Sequence, residues 1–306
     1  MYEDVCVLIP TLNEGTTIGP LIAEFKELGF NNILVIDGNS NDDTVNIAKG
    51  AGARVIVQSG KGKGQAVQEA FEAIEDKYIL MIDGDGTYLP SDAPAMVEPL
   101  IQGNADHVMG NRFANYEPKA FTKLNLVGNK MLNKLFGFAY GEWLTDILSG
   151  YRAFTHEAIK SMDLNKTGFE IETEITVELV KNDFRIKEVP ITYLSRHSLG
   201  KTKLNPLKDG IKIGLTIYKL AKTHNPMFYF GIIGAICVVM GSMTGIYVVN
   251  EWFNSIPHEL LAILTTLIIL IGVQLFIFGI IGDLIASLHR ETMRAIRNKK
   301  ENMHED

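Results

Sequence analysis

The sequence contains little cysteine and no excess of positive charge. Its two cysteines, Cys6 and Cys237, are too few for a disulfide framework or a cysteine-based zinc site, and they fit a reducing compartment. The net charge of −7 argues against nucleic acid as a partner. The acidic start Met1-Tyr2-Glu3-Asp4 lacks the basic residues that begin a secretory signal, so we expect no cleaved leader.

Two apolar runs dominate the C-terminal part of the chain. Phe228–Val249 has no charged residue, and Leu260–Leu288 has only Asp283. Each run is long enough to cross ~30 Å of hydrocarbon. The connection between them has no Lys or Arg, whereas the segment after His289 is rich in both. The positive-inside rule therefore predicts a multi-pass membrane protein with two spans, whose N-terminal domain and C-terminus are cytoplasmic.

Pro206–His224 precedes the first apolar run and combines an apolar face with four lysines. We interpret it as an interfacial helix on anionic lipid, with an ordinary amphipathic core helix as the alternative. The predicted organisation is a globular domain over residues 1–205, this helix over 206–225, a two-helix anchor over 226–289 and a tail over 290–306.

Strand and helix signals alternate over the first part of the chain. Apolar runs predict strands at Val5–Ile9, Asn32–Ile36, Arg54–Gln58 and Tyr78–Ile82. Helices are predicted between them, at Thr17–Leu28, Asp43–Gly50 and Gly64–Ile74. This alternation predicts an α/β, Rossmann-like fold with a mostly parallel sheet and helices on both faces.

Asp83-Gly84-Asp85 directly follows the strand predicted at Tyr78–Ile82. Ligands of such sheets bind outside the carboxyl ends of the strands. Asp85, supported by Asp83 and by the Thr87 hydroxyl, is predicted to bind Mg²⁺ or Mn²⁺, which would hold a diphosphate. A plain turn after the strand is the alternative.

Three other polar segments fall at the same predicted edge. Pro10–Glu14 could hold a nucleotide base, with a helix-capping turn as the alternative. Asp37 is placed to bond a base or ribose, and the rest of its segment is predicted to cap the next helix. Gly60–Gly64 contains Lys63 and opens a helix, whose N-terminal amides attract anions, although it lacks the spacing of a P-loop. A solvated turn is the alternative there.

Cations occur beside small residues further along the chain. They suit a site that brings two anionic groups together, although each alone is more often a surface salt-bridge partner. These residues are Arg112, Arg152, Arg196 and Lys203.

Taken together, the order and spacing of these residues resemble the inverting family 2 glycosyltransferases of the GT-A fold. Within that family, they resemble the dolichyl-phosphate or polyprenyl-phosphate hexose synthases. The matching motifs are Asn13-Glu14, Asp37, Asp83-Gly84-Asp85, Ser149-Gly150-Tyr151-Arg152, Glu188-Val189-Pro190 and Arg196 to Leu204. Three positions depart from the family pattern, namely Gly38, Thr87 and Thr202.

The resemblance implies a role for each matched residue. It places Glu172 and Ser149 on the acceptor side, and Asp83, Asp85 and Thr87 at the metal. The implied nucleotide-sugar-binding residues are Pro10, Asn13, Glu14, Asp37, Lys63, Asp83 and Gly84. The implied catalytic residues are Asp85, Arg112, Arg152, Arg196 and Lys203.

The implied reaction is a metal-dependent, inverting transfer of one sugar from a nucleotide-sugar to dolichyl or polyprenyl phosphate. A UDP-sugar is favoured and GDP-mannose stays open, and a homo-oligomer is compatible with the sequence. The processive synthases of the family carry a Gln-x-x-Arg-Trp signature that this chain lacks. Two alternatives are a sugar-nucleotidyltransferase and a non-catalytic, membrane-anchored nucleotide-binding protein.

Overall fold

The computed structural model describes residues 2–195 and 206–302. The chain divides into two compact units. The first comprises Met1–Gly137 with Gly141–Ile217, and the second comprises Phe138–Tyr140 with Tyr218–Asp306. The domain limits predicted from the sequence stay predictions.

The first unit is built on a seven-stranded sheet with the order β3-β2-β1-β4-β6-β5-β7. All neighbouring strands are parallel except at β6, which runs antiparallel to both β4 and β5. The strands are β1 (Val5–Thr11), β2 (Ile33–Asp37), β3 (Arg54–Val57), β4 (Tyr78–Met81), β5 (His107–Tyr116), β6 (Arg152–Thr155) and β7 (Ile186–Tyr193). The predicted α/β fold with a mostly parallel sheet is thus confirmed.

Helices connect these strands and cover the sheet. They are α1 (Ile18–Glu27), α2 (Thr44–Gly50), α3 (Lys63–Ala73), α4 (Ala93–Ile101), α5 (Lys123–Tyr140), α6 (His156–Lys160) and α7 (Ile171–Lys181). A short 3-10 helix, Pro90–Asp92, precedes α4.

Strand β1 shows why the sheet must be covered on both faces. All seven of its residues are buried. Val5, Val7 and Ile9 pack into one apolar cluster with α1, whereas Cys6 and Leu8 pack into a second cluster with α3. Because successive side chains point to opposite faces, a strand that is apolar throughout requires a layer on each side.

The reversed direction of β6 determines where the site forms. Arg152, at the start of β6, lies opposite Met81 at the end of β4. The segment that enters β6, residues 144–151, therefore lies at the same edge of the sheet as Asp83–Asp85.

The second unit contains two long helices, α9 (Pro226–Phe253) and α10 (Glu259–Asn302). Both are long and apolar enough to cross a membrane, with mean hydropathies of 2.2 and 2.7 over their most apolar stretches. Asn225 caps α9, since its side chain accepts a hydrogen bond from the Phe228 amide at 2.9 Å. Helix α10 continues beyond the predicted span into the segment predicted as a tail.

Helix α8 (Pro206–His224) forms where an amphipathic helix is predicted. Ile211 and Leu215 on this helix are 59% and 50% exposed, so part of its apolar face is open.

Candidate active site

The ammonium group of Lys63 lies between two carboxylates at the carboxyl edge of the sheet. Its Nζ atom is 2.5 Å from Asp83 Oδ1 and 2.6 Å from Glu172 Oε1. Burial alone would lower the pKa of Lys63, but the two carboxylates outweigh it and raise that pKa above its ordinary value. Lys63 therefore stays charged and links α3, the segment after β4, and the first turn of α7.

Asp83 and Asp85 lie together on the segment that follows β4. The pKa of Asp83 lies above its ordinary value, chiefly because the carboxyl group is buried. Lys63 lowers this pKa, whereas the neighbouring Asp85 and Glu172 carboxylates raise it. The Thr17 hydroxyl donates to Gly84 O at 2.6 Å and fixes this segment against α1. Burial is thus the largest cause of the raised pKa of Asp83, and the ion pair with Lys63 is the largest influence that opposes it.

Thr87 is 3% exposed, and its hydroxyl donates a hydrogen bond to Asp85 Oδ1 at 2.6 Å. The Thr87 amide donates to the same oxygen at 3.1 Å. These two bonds orient the Asp85 carboxylate, and the metal-ligand role of Thr87 stays a prediction.

The oxygen donors at this edge fit a magnesium-like ion. Among residues 2–195 and 206–302, no group of three or more His, Cys, Asp and Glu side chains is arranged to hold a metal. Mg²⁺ usually binds through one or two carboxylates and takes its other ligands from water and phosphate. Asp83 and Asp85 supply the two carboxylates that such a magnesium site needs.

Arg112 is among the predicted catalytic cations, and in the structure its guanidinium pairs with Asp146. The guanidinium forms a bidentate pair with that carboxylate, at 2.8 Å from Nε and 2.7 Å from Nη2. The rings of Phe121 and Tyr193 lie at 5.5 and 5.3 Å from the guanidinium carbon. The pair with Asp146 fixes the start of residues 146–151. Arg112 is 8% exposed, so little of its surface is left for a ligand.

Arg152 differs more strongly from its prediction, because it is fully buried. Its guanidinium donates to Ser149 O at 2.8 Å, to Ile147 O at 2.6 Å and to the Thr176 hydroxyl at 2.9 Å. Burial lowers its pKa to about 10, with Glu172 opposing that shift, so the group stays charged at neutral pH. Arg152 therefore fixes the backbone of residues 147–149 from inside the protein, and its guanidinium is not exposed at an open site.

Gly150 brings the segment 146–151 directly against the carboxylates. A Cβ atom at this position would collide with the Asp83 carboxylate. The Gly150 amide donates to the Tyr88 hydroxyl oxygen at 2.9 Å, and Ser149 beside it is completely buried. The Ser149 carbonyl accepts from Arg152, and the place of Ser149 on the acceptor side stays a prediction.

The loop after β1 and the loop after β2 hold each other through hydrogen bonds. The Asn13 amide donates to Ser40 Oγ, and the Asn41 amide donates to Asn13 Oδ1, each at 2.8 Å. The Glu14 amide donates to Thr44 Oγ1 at 2.9 Å. Asn13 has a φ of 54°, a left-handed conformation that asparagine tolerates better than most residues. Pro10 is the last residue but one of β1 and is buried.

Residues 60–64 form a tight contact with residues 166–168. The Gly64 amide donates to Thr167 O at 3.0 Å. Cβ atoms on Gly62 or Gly64 would collide with the carbonyl oxygens of Thr167 and Lys166. These glycines allow two backbone segments to approach, which brings Lys63 beside Glu172.

An apolar groove of 480 Å³ adjoins the Arg112–Asp146 pair. Sequence reasoning missed it, although the apolar repeat of α5 was a usable signal. Two lysines, Lys130 and Lys134, lie along the groove. Its other lining residues are Phe113, Leu126, Asn133, Trp143, Leu144 and Thr145. The predicted residues Arg196 and Lys203 lie outside the described part of the chain.

A mixed α/β sheet with carboxylates directly after β4 is the arrangement of the GT-A fold. The family profile for glycosyl transferase family 2 matches residues 6–162. The chain belongs to this family and is a glycosyltransferase.

Two relatives support the same family. Glycosyltransferase AglJ of Haloferax volcanii is 50% identical over 296 residues, covering 96% of this chain and 97% of that protein. A dolichyl-phosphate hexose transferase of the same organism is 32% identical, covering 72% of this chain and 94% of its own length.

A solved structure shares the fold. Glucosyl-3-phosphoglycerate synthase from Mycobacterium tuberculosis, crystallised with Mn²⁺ and UDP-glucose, superposes with a TM-score of 0.57. The sequence identity is 23%, and the match covers 70% of this chain and 78% of that chain.

Replacing Lys63 with methionine leaves the Asp83 and Glu172 carboxylates without their shared partner. Removing one side of a buried ion pair costs about 3 kcal/mol. We expect Lys63→Met to lower the melting temperature of the full chain in detergent by several degrees, measured by scanning fluorimetry. The exposed neighbour Lys61 supplies the control Lys61→Met.

Adding Glu172→Gln to Lys63→Met should recover part of the lost stability, because it removes one uncompensated charge. Equal melting temperatures for Lys63→Met and Lys61→Met would contradict the assigned role of this ion pair.

Proposed function

We propose that this glycosyltransferase transfers one sugar from a nucleotide-sugar, with UDP-sugars favoured, to a polyprenyl or dolichyl phosphate at a membrane. The observation that carries the proposal is the group of Asp83, Asp85, Lys63 and Glu172 at the carboxyl edge of the sheet. Leu144 and Thr145, at the start of residues 144–151, line an apolar groove that also carries Lys130 and Lys134.

The donor would bind across the ends of β1, β2 and β4. Asp85 would be the main ligand of Mg²⁺ or Mn²⁺, with Asp83 supporting it and Thr87 orienting it. When bound, the ion supplies positive charge beside the departing diphosphate. The structural neighbour that was crystallised with Mn²⁺ and UDP-glucose supports this choice of ion and nucleotide.

The acceptor would be an amphiphile with an anionic head. A phosphate monoester with a second pKa near ~6 is largely dianionic at neutral pH and needs little help from a base. One of its oxygens would form a bond to C1 of the sugar while the bond from C1 to the diphosphate breaks, and the nucleoside diphosphate would leave with the electron pair. A single displacement of this kind inverts C1.

The groove and the C-terminal helices support a lipid as the acceptor. Leu126 and Trp143 offer apolar surface for a chain, and Lys130 and Lys134 offer charge for a phosphate. The name of the dolichyl-phosphate hexose transferase relative agrees with such an acceptor. Helices α9 and α10 would then anchor the enzyme, with the sheet domain and the C-terminus in the cytoplasm by the positive-inside rule.

Replacing Asp85 with alanine should lower turnover on the order of 10²-fold or more, because the leaving diphosphate loses its stabilisation. The assay follows a radiolabelled sugar from UDP-sugar into organic extract with an isoprenoid phosphate as acceptor. The control is Asp4→Ala, an exposed carboxylate at the opposite edge of the sheet. Near-normal activity of Asp85→Ala in excess EDTA would refute the metal-dependent mechanism, and a nucleotidyltransferase would leave the organic extract unlabelled.

Replacing both Lys130 and Lys134 with alanine should raise the KM for the isoprenoid phosphate about tenfold while leaving the KM for the nucleotide-sugar within about twofold, since charge-assisted bonds contribute about 1.5 kcal/mol. The matched control is Lys49→Ala at the exposed end of α2. A change confined to the donor KM would show that the groove does not receive the acceptor.

A further inference from the structure

Helix α7 carries three buried glutamates, Glu172, Glu174 and Glu178. Glu172 belongs to the site described above, because it binds the ammonium group of Lys63. A buried carboxylate is costly unless it is paired or accepts hydrogen bonds. The partners of the other two glutamates therefore show which parts of the protein they hold in place.

Glu174 binds the backbone of the segment that precedes α7. Its Oε2 atom accepts from the Asn165 amide at 3.0 Å and from the Lys166 amide at 2.8 Å. Glu174 is 2% exposed, and burial raises the pKa of its carboxyl group above the ordinary value, whereas the two amides lower it. Keeping a charge at this position costs free energy, and perturbed carboxyl groups of this kind are enriched at functional sites.

The carbonyl groups of the same segment bind α3. Lys166 O accepts from the Gln68 side chain at 2.8 Å, and Thr167 O accepts from the Gly64 amide at 3.0 Å. The contact is so close that a Cβ atom on Gly64 would collide with this backbone. Residues 165–167 thus form a strap, which is bonded through its amides to α7 and through its carbonyl groups to α3.

The strap lies beside the backbone from which Lys63 extends. Lys63 directly precedes Gly64, and its ammonium group reaches Asp83 and Glu172. A lysine side chain is long and flexible, so a fixed backbone is needed to place its charge reproducibly. A continuous series of contacts therefore leads from Glu174 through the strap to Lys63.

We propose that Glu174 is a positioning residue of the transfer site. By holding the strap against α3, it keeps the ammonium group of Lys63 between Asp83 and Glu172. The inference rests on the proposed function in one respect, because the task of Lys63 at the nucleotide-sugar belongs to that proposal.

The first measurement is competitive acetylation of the lysines of the full chain in detergent, quantified by mass spectrometry. Lys63 should react slowly, since its side chain is 15% exposed and two carboxylates share its ammonium group. Lys61 is exposed and gives the reference rate. Lys26, whose Nζ atom donates to Ala51 O at 2.6 Å, reports any general loosening of the fold.

Three substitutions of Glu174 separate its charge from its reach. Glu174→Ala removes the acceptor, Glu174→Asp keeps the charge but shortens the side chain by one methylene, and Glu174→Gln keeps an oxygen at the same reach. The matched control is Glu178→Ala, which removes another buried carboxylate one turn further along α7. Glu178 binds the Lys181 ammonium group at 3.1 Å and the Asp163 amide at 3.5 Å.

We expect Glu174→Ala and Glu174→Asp to raise the acetylation rate of Lys63 about tenfold relative to Lys61, because losing hydrogen bonds to a charged group favours local opening by at least that factor. Glu174→Gln should stay within about threefold of the wild type, and Glu178→Ala within about twofold. Lys26 should keep its rate in all four variants. If Glu174→Ala does not fold, the comparison of Glu174→Asp with Glu174→Gln decides.

Sugar transfer by the same proteins connects the position of Lys63 with activity. Glu174→Ala and Lys63→Met should each lower kcat/KM for the nucleotide-sugar. The double variant should lie within about twofold of Lys63→Met alone, since residues that act through one another have non-additive effects. Fully additive losses would show that Glu174 does not act through Lys63.

Failure of the inference and failure of the proposed function give different results. An unchanged acetylation rate of Lys63 in Glu174→Asp, or an equal rise in Glu178→Ala, would refute the positioning role of Glu174. If acetylation follows the expected pattern and the wild type transfers no sugar to an isoprenoid phosphate, the positioning of Lys63 stands and the proposed function is refuted.

Discussion

An ammonium group shared by two carboxylates joins the parts of the candidate site. Lys63 opens α3, Asp83 follows β4, and Glu172 lies in the first turn of α7. Three carboxylates, those of Asp83, Asp85 and Glu172, lie near this single cation. The site is therefore organised before any ligand binds, and it retains the negative charge that a divalent ion would neutralise.

The antiparallel direction of β6 brings residues 144–151 to the edge of the sheet where Asp83 lies. Because β6 runs against β4, the residues that precede it lie beside Asp83, and the buried guanidinium of Arg152 fixes their backbone. The same residues continue from Gly150, against the carboxylates, to Thr145 in the apolar groove. This one segment thus links the Asp83 carboxylate to the apolar groove.

The sequence predicts the first four strands and three helices closely, because each is an uninterrupted apolar or amphipathic run. The half-exposed β7 and the groove beside α5 give weaker local patterns, and we did not predict them. The motif containing Arg152 was recognised, but only the position of this residue in a covered strand shows that its guanidinium is buried.

The central claim is that Asp83 and Asp85 hold a divalent ion together with the donor diphosphate. The most direct measurement is the ³¹P relaxation of UDP in the presence of Mn²⁺, compared between the wild type and Asp85→Asn in detergent. The account predicts strong paramagnetic broadening of both phosphorus signals with the wild type and its loss with Asp85→Asn, at protein concentrations where UDP is bound. Equal broadening with both proteins would contradict the claim.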